Sequence, residues 1–320
     1  MLAANVIPLL VNDGYSVRGL LRRRSGYRGP EHPNLELIEG DFTSDECLRR
    51  VLPGCDAVIH AAAVTSQSGR SYGEYYEVNV RATRRLIELA IDHGVRRFVE
   101  VSSSAAFGYG SREIPGCELN EMSEPFASSY YARSKYESLA AAMSYRDRIE
   151  VVGVAPTFMI GPGDCKPGRG RMITAACRKK LIFCPPGGGN FIHAGDAALG
   201  VVRALERGGN GETYMLCSEN LTYKEFYKKL GGVTGRRALC LRVPGLMLYI
   251  AGGMGSFLRV MGLRTRVSLP NMRILCVMAY YHNYKASRDL GIVFRPAEEA
   301  MRDAVDWFAA EGVLKFRKNS

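Results

Sequence analysis

Residues 76–104 read YEVNVRATRRLIELAIDHGVRRFVEVSSS, and the fold follows from this stretch. Val80, Thr83, Leu86, Ile87, Ala90 and Ile91 recur at helical spacing, which predicts an amphipathic helix over residues 76–93. Residues 98–102 read as a short strand, and several of the chain's strand runs are almost wholly apolar, as expected of strands covered on both faces. The same alternation runs outward in both directions. Strands are predicted at residues 15–21, 35–39, 57–61 and 149–155, with helices at 3–12, 132–145 and 196–207. Strands separated by helices pair in parallel through right-handed crossovers, so the predicted class is α/β with a doubly wound, Rossmann-type parallel sheet. Residues 1–155, joined by 191–208, form the sheet unit in this reading. Residues 156–190 and 209–320 form a smaller C-terminal α/β unit. Within it Thr222-Tyr-Lys-Glu225 has capping-box spacing, and residues 297–310 form an amphipathic helix with Met301, Ala304, Val305 and Phe308 inward.

Composition narrows the function classes. At 320 residues, 47% hydrophobic and 23% charged, the chain is an ordinary globular protein of about two domains. The net charge of +11 suits nucleic acid, an anionic membrane surface or a phosphorylated ligand. Nine cysteines, an odd number with no C-x-x-C pair, argue against a disulfide framework or a metal cluster, and a reducing cytoplasm is the expectation. The longest uncharged apolar stretch, residues 243–258, is shorter than the roughly 18 residues of a membrane span, so no stable insertion is expected.

The chemistry concentrates in Ser103, Tyr131 and Lys135. Tyr131 and Lys135 stand at i and i+4, one above the other on a helix face. An ammonium beside a phenol favours the phenolate, which moves the tyrosine toward general acid/base work. Ser103 follows the 98–102 strand, at the carboxyl edge where open α/β sheets bind ligands, and its hydroxyl can hold a substrate oxygen. The Tyr-x-x-x-Lys pair alone also reads as an exposed helix pair; the serine run ending a buried strand about thirty residues upstream gives it its chemical meaning.

With these residues the chain resembles the extended short-chain dehydrogenase/reductase family, of the NAD-dependent epimerase/dehydratase type. Its dihydroflavonol-reductase-like and 3β-hydroxysteroid-dehydrogenase-like branch is the most similar. The resemblance is carried by Gly40-Asp41-Phe42, Val58-Ile-His60-Ala-Ala-Ala63, residues 78–83, Val101-Ser-Ser103, Tyr131 to Lys135, Ala155-Pro156-Thr157, residues 191–196 and residues 285–291, in the family's order along almost the whole chain. It implies that Tyr131 is the acid/base, that Lys135 holds the nicotinamide ribose, and that Ser103, five residues before Gly108, positions the substrate oxygen. It implies a cofactor site that includes Ala61, Ala62, Ala63 and Pro156, with Tyr131 and Lys135. Asp41 and Phe42 belong to a turn where the family bonds adenine; Asp41 reads equally as a helix N-cap. His60 reads as a packed histidine, Asn79 as a loop anchor or a plain helix residue, and Asp196 as structural.

Arginines at 22, 23 and 24 follow the expected strand 15–21, at the edge where NAD sites place a carboxylate; Arg22, supported by Arg23, therefore points to NADP, with NAD as the alternative. The competing reading is a solvated basic cluster. The fold implied by the resemblance opens with a strand and a glycine-rich turn ahead of its first helix. Here that helix starts at once, so the expectation is a sheet lacking its first strand. Residues 243–262 carry Met and aromatic residues that read as core, or as part of a pocket wall for an apolar substrate. The expected activity is NADP-dependent hydride transfer to or from a carbonyl or secondary alcohol of a small apolar molecule. The alternatives are a nucleotide-sugar epimerase/dehydratase or a non-catalytic NAD(P)-binding regulator. The expected partner is the small-molecule substrate, with a homodimer as the possible assembly; nucleic acid is not expected.

Overall fold

The structure is a computed structural model and describes residues 1–314 except 28, 66–70, 165–169, 237, 264 and 266. In chain order it runs α1 (Leu2–Asn12), β1 (Val17–Leu21), β2 (Leu35–Glu39), α2 (Asp45–Val51), β3 (Ala57–His60), α3 (Tyr72–Tyr75), α4 (Ala82–Asp92), β4 (Arg97–Val101), α5 (Tyr130–Met143) and β5 (Glu150–Pro156). There follow β6 (Phe158–Ile160), α6 (Arg171–Arg178), β7 (Leu181–Cys184), β8 (Gly188–His193), α7 (Ala194–Arg207), β9 (Thr213–Leu216), β10 (Glu219–Thr222) and α8 (Tyr223–Thr234). The chain closes with β11 (Leu239–Arg242), α9 (Gly245–Val260), α10 (Leu269–Ile274), β12 (Met278–Ala279), α11 (Tyr284–Leu290) and α12 (Ala297–Ala310).

The main sheet has the order β3-β4-β5-β9, all parallel, and β1 and β2 form a separate parallel pair. Alternation along β4 explains the two covered faces. Val99 and Val101 turn to a core shared with α1, α7 and α11, whereas Phe98 turns to a core with α2, α4 and α5. The sheet is therefore doubly wound, as expected. A second sheet, β10-β8-β12 with β6 also on β8, packs against α6, α8 and α12 around Phe191, Phe226 and Phe308. The strands β7 and β11 form a third, two-stranded sheet.

Some sequence expectations shift. The helix expected to start at residue 76 starts earlier, capped by Ser71, and its middle, Tyr76–Arg81, winds as a π-helix before α4. The strand β9, placed by the sequence in the C-terminal unit, pairs with β5 in the main sheet, and α11 packs into the same core. The chain after residue 209 thus serves both units. The apolar residues of 243–262, expected in a core, are largely exposed on α9.

Among the described residues no strand bridges β1 to β3. Between them lies a cavity of about 1570 Å³, walled by α1 (Val6, Ile7, Leu10) and by both strands along their length.

Candidate active site

The main sheet brings Ser103, Tyr131 and Lys135 to one edge. The Ser102 hydroxyl, at the end of β4, donates to the Lys135 carbonyl at 3.1 Å and ties the loop to α5. Ser103 is buried and caps the short 3-10 turn Ser104–Ala106, its Oγ accepting from the Ala105 amide at 3.3 Å. Among the described residues nothing accepts its own proton. Ser129 caps α5, so Tyr131 falls in the first turn and Lys135 in the second, on one face. Tyr131 is half-buried, and its hydroxyl has no partner among the described residues.

Lys135 is only 2% exposed, and its Nζ donates to Glu100 Oε1 at 3.1 Å. Glu100 is wholly buried on β4, where Ser138 Oγ donates to the same oxygen at 2.9 Å and Oε2 has no partner among the described residues. A buried ammonium needs such a counter-charge. The sequence expectation had Lys135 serving the phenol and the nicotinamide ribose; the structure shows it also paired with a buried carboxylate. Glu100 was missed, although a carboxylate inside the run Phe98-Val-Glu-Val101 is the kind of signal that marks one.

Behind this pair runs a polar row. Ser138 Oγ lies 3.3 Å from Thr83 Oγ1, which donates to the Asn79 carbonyl at 2.8 Å and so accepts from His60 Nε2 at 3.0 Å. His60 sits between the Phe42 and Phe98 rings, and burial pushes its pKa down, leaving it neutral. It is packed and hydrogen-bonded, the arrangement the sequence reading favoured. Asn79 holds both backbone groups of Val64 (2.7 and 3.1 Å) and donates to Ser134 Oγ at 2.9 Å. It therefore pins the loop after β3 to α5, and the π-helical turn carries it.

The remaining residues group around the cavity. Arg22, Phe42, Ala61, Ala62 and Ala63 line it; Arg23, Asp41, Pro156 and the Ser103–Tyr131–Lys135 group do not. Arg22 is exposed at the end of β1, and Ala61 and Ala62 leave their backbone open. Arg23 precedes the 3-10 turn Arg24–Gly26 and faces solvent. Asp41 is exposed and is not the helix N-cap, which is Ser44; its Oδ1 accepts from the Thr43 amide at 3.0 Å. That bond, with a contribution from Arg22, holds its carboxyl below the usual range. Pro156 is buried at the end of β5 opposite Leu216. Asp196 is structural, bonded to the Arg295 amide and guanidinium at 2.8 and 2.7 Å.

The sequence profile of the NAD dependent epimerase/dehydratase family matches residues 1–217. A protein of Synechocystis sp., whose name provisionally assigns it as a dihydroflavonol 4-reductase, is 30% identical over 98% of this chain and 93% of its own length. Sterol demethylase protein B of Methylococcus capsulatus is 28% identical over 98% of this chain and 97% of its own. The crystal structure of gox2253 superposes with a TM-score of 0.81 at 27% identity, covering 98% of this chain and 97% of that one.

Proposed function

We propose, for a chain that belongs to the NAD dependent epimerase/dehydratase family of extended short-chain dehydrogenases/reductases, an NADP-dependent reductase or dehydrogenase acting on a carbonyl or secondary alcohol of an apolar molecule. The observation that carries this reading is the pair of uncommitted hydroxyl protons, on Ser103 and Tyr131, beside a lysine fixed at Glu100. Two donors of this kind can meet one substrate oxygen.

Arg22 and the small residues after β3 suit the adenosine-phosphate side of a phosphorylated dinucleotide. Arg22 stands exposed at a strand end whose neighbours, Leu20 to Arg24, include no carboxylate, and a guanidinium there suits a ribose phosphate. Small Ala61 to Ala63 leave room for close approach along the cavity wall. When bound, the dinucleotide gives or takes hydride at its nicotinamide ring. Tyr131 then protonates the substrate oxygen in reduction and takes the proton back in oxidation, while Ser103 donates a hydrogen bond to hold that oxygen. Lys135, fixed at Glu100 one helical turn from Tyr131, offers its remaining protons to the ribose. An apolar substrate is supported by the cluster that follows Ser103, with Ala106, Phe107, Phe126 and Tyr281 buried together. The names of the relatives, which carry a flavonol and a sterol, support it as well.

The test is Tyr131→Phe, assayed by absorbance of reduced nicotinamide with steroid, flavonoid and sugar-nucleotide substrates. Turnover is expected to fall by about 10²- to 10⁴-fold. NADPH affinity should stay within about twofold, because the phenol does not carry the binding charge. Unchanged turnover refutes the catalytic assignment, and activity confined to sugar nucleotides refutes the substrate class.

A further inference from the structure

The helix α9 turns its apolar face outward. Leu246, Ile250, Met254, Phe257 and Met261, spaced by three or four residues, are each 57–69% exposed. The opposite face is narrow and closes on its neighbours through glycine. A Cβ at Gly252 would stand 2.9 Å from the Leu269 Cα, and one at Gly255 would stand 2.3 Å from the Val267 carbonyl. The exposed stripe is thus fixed in place by α10 and cannot roll inward. The strand leading into α9 has a similar open face, where Leu239 and Leu241 of β11 pair with Leu181 and Phe183 of β7, all exposed.

Charge says what covers this surface. From Phe226 to Arg288 the sequence contains no aspartate or glutamate and eleven lysines and arginines. That equals the net charge of the whole chain, so the rest of the sequence is balanced; Lys229, Lys285 and Arg288 pair with Glu219, Glu212 and Asp289 away from α9, whereas Arg259 stands in its last turn and Arg242 just ahead of it. Arg242 and Arg273 in this stretch are exposed. At 16 residues α9 is about 24 Å long, less than the ~30 Å hydrocarbon thickness, and no described helix is long and apolar enough to cross a membrane. An apolar stripe flanked by cations and too short to span is the pattern of a helix lying in a lipid interface.

We propose that α9 and its flanking arginines dock this protein on an anionic lipid surface, the apolar stripe entering the headgroup boundary and the cations meeting lipid phosphates. A nucleic-acid partner would use the charge but leave the aliphatic stripe exposed. A second copy would bury the stripe but bring like charges together. The contact also has a place in the fold. On α10, to which α9 is fixed, Ile274 packs into the cluster with Ala106 and Phe107 just after Ser103. Docking would therefore set the apolar surroundings of the candidate site beside the lipid.

The experiment is co-sedimentation of the full chain with phosphatidylcholine vesicles, with and without phosphatidylglycerol. The wild type is expected to pellet with the anionic vesicles, several-fold less with neutral ones, and less again as salt is raised. Met254→Asp/Phe257→Asp alters exposed positions, so a wild-type circular dichroism spectrum is expected, with vesicle affinity reduced about tenfold or more. Wild-type protein that stays in the supernatant with anionic vesicles overturns the proposal. So does a stable wild-type dimer that the double variant converts to monomer, which would make α9 a self-association surface. Neither readout depends on turnover, so the catalytic reading stands or falls separately.

Discussion

Removing either member of the Lys135–Glu100 pair strands the other charge in the core. The two side chains are 3% and 0% exposed, and breaking a buried pair from one side costs about 3–5 kcal/mol. Lys135→Met leaves the carboxylate facing only the Ser138 hydroxyl; Glu100→Leu leaves the ammonium without its counter-charge. Each single variant should lose about 3–5 kcal/mol. The double variant puts two apolar chains of similar volume where two ions stood, and its main residual loss is the Ser138 acceptor, about 1 kcal/mol. Its stability should therefore lie close to wild type, and several kcal/mol above the sum of the singles. Urea unfolding followed by circular dichroism measures all four proteins, with unchanged slopes as the check that one transition is being compared. Additive losses would show that the two charges do not support each other, and the positioning of Lys135 by Glu100 would go with that result.

Two other outcomes test separate parts of the structure. Arg22→Ser removes one charge-assisted contact, which at about 1.5–3 kcal/mol predicts a KM for NADPH raised about 10- to 100-fold with that for NADH little changed; an unchanged NADPH-to-NADH ratio would return Arg22 to the solvated cluster. For His60, burial sets the folded-state pKa below the unfolded value of about 6.5, so the unfolded chain takes up its proton first as acid is added. The stabilising contribution of neutral His60 is complete above about pH 6.5 and is lost as pH falls toward the lower, folded value. His60→Gln should accordingly flatten the fall of unfolding free energy between about pH 7 and pH 5, and identical slopes for both proteins would contradict the burial argument.

What could be read in advance was whatever a local pattern dictates. The strand Leu35–Glu39 and the helix Ala297–Ala310 match residue for residue, because alternation and helical period are properties of the segment itself. The Thr222–Glu225 capping box is formed as its spacing requires. The failures have other causes. The early start at Ser71 was written in Ser71-Tyr-Gly-Glu74, which has the same capping-box spacing and was passed over, whereas the π-helical turn at Tyr76–Arg81 adds a residue without disturbing the apolar pattern on either side. Thr213–Leu216 is a strand because β5 offers it an edge, and nothing in four residues announces that edge. On α9 a Met-rich period was taken for core, since period reports that a face is apolar and is silent on what it meets. At the site, Tyr131 and Lys135 were legible by their spacing, but Glu100 reaches Lys135 across 35 positions, where pairing depends on the assembled sheet.

The cleft between β1 and β3 has a mechanical consequence. Backbone ladders stop at both of its banks, so among the described residues the β1–β2 ribbon is fastened to the main sheet by packing, with α1 as the strap laid across α7. Without a peptide ladder across the cleft, the ribbon is expected to open before the strands that bear Glu100 and the serine loop, which amide hydrogen exchange would read as weaker protection in β1 and β2 than in β4. Thermal fluctuations would then loosen the Arg22 side of the molecule first, while the proton-transfer machinery on β4 and α5 keeps its alignment.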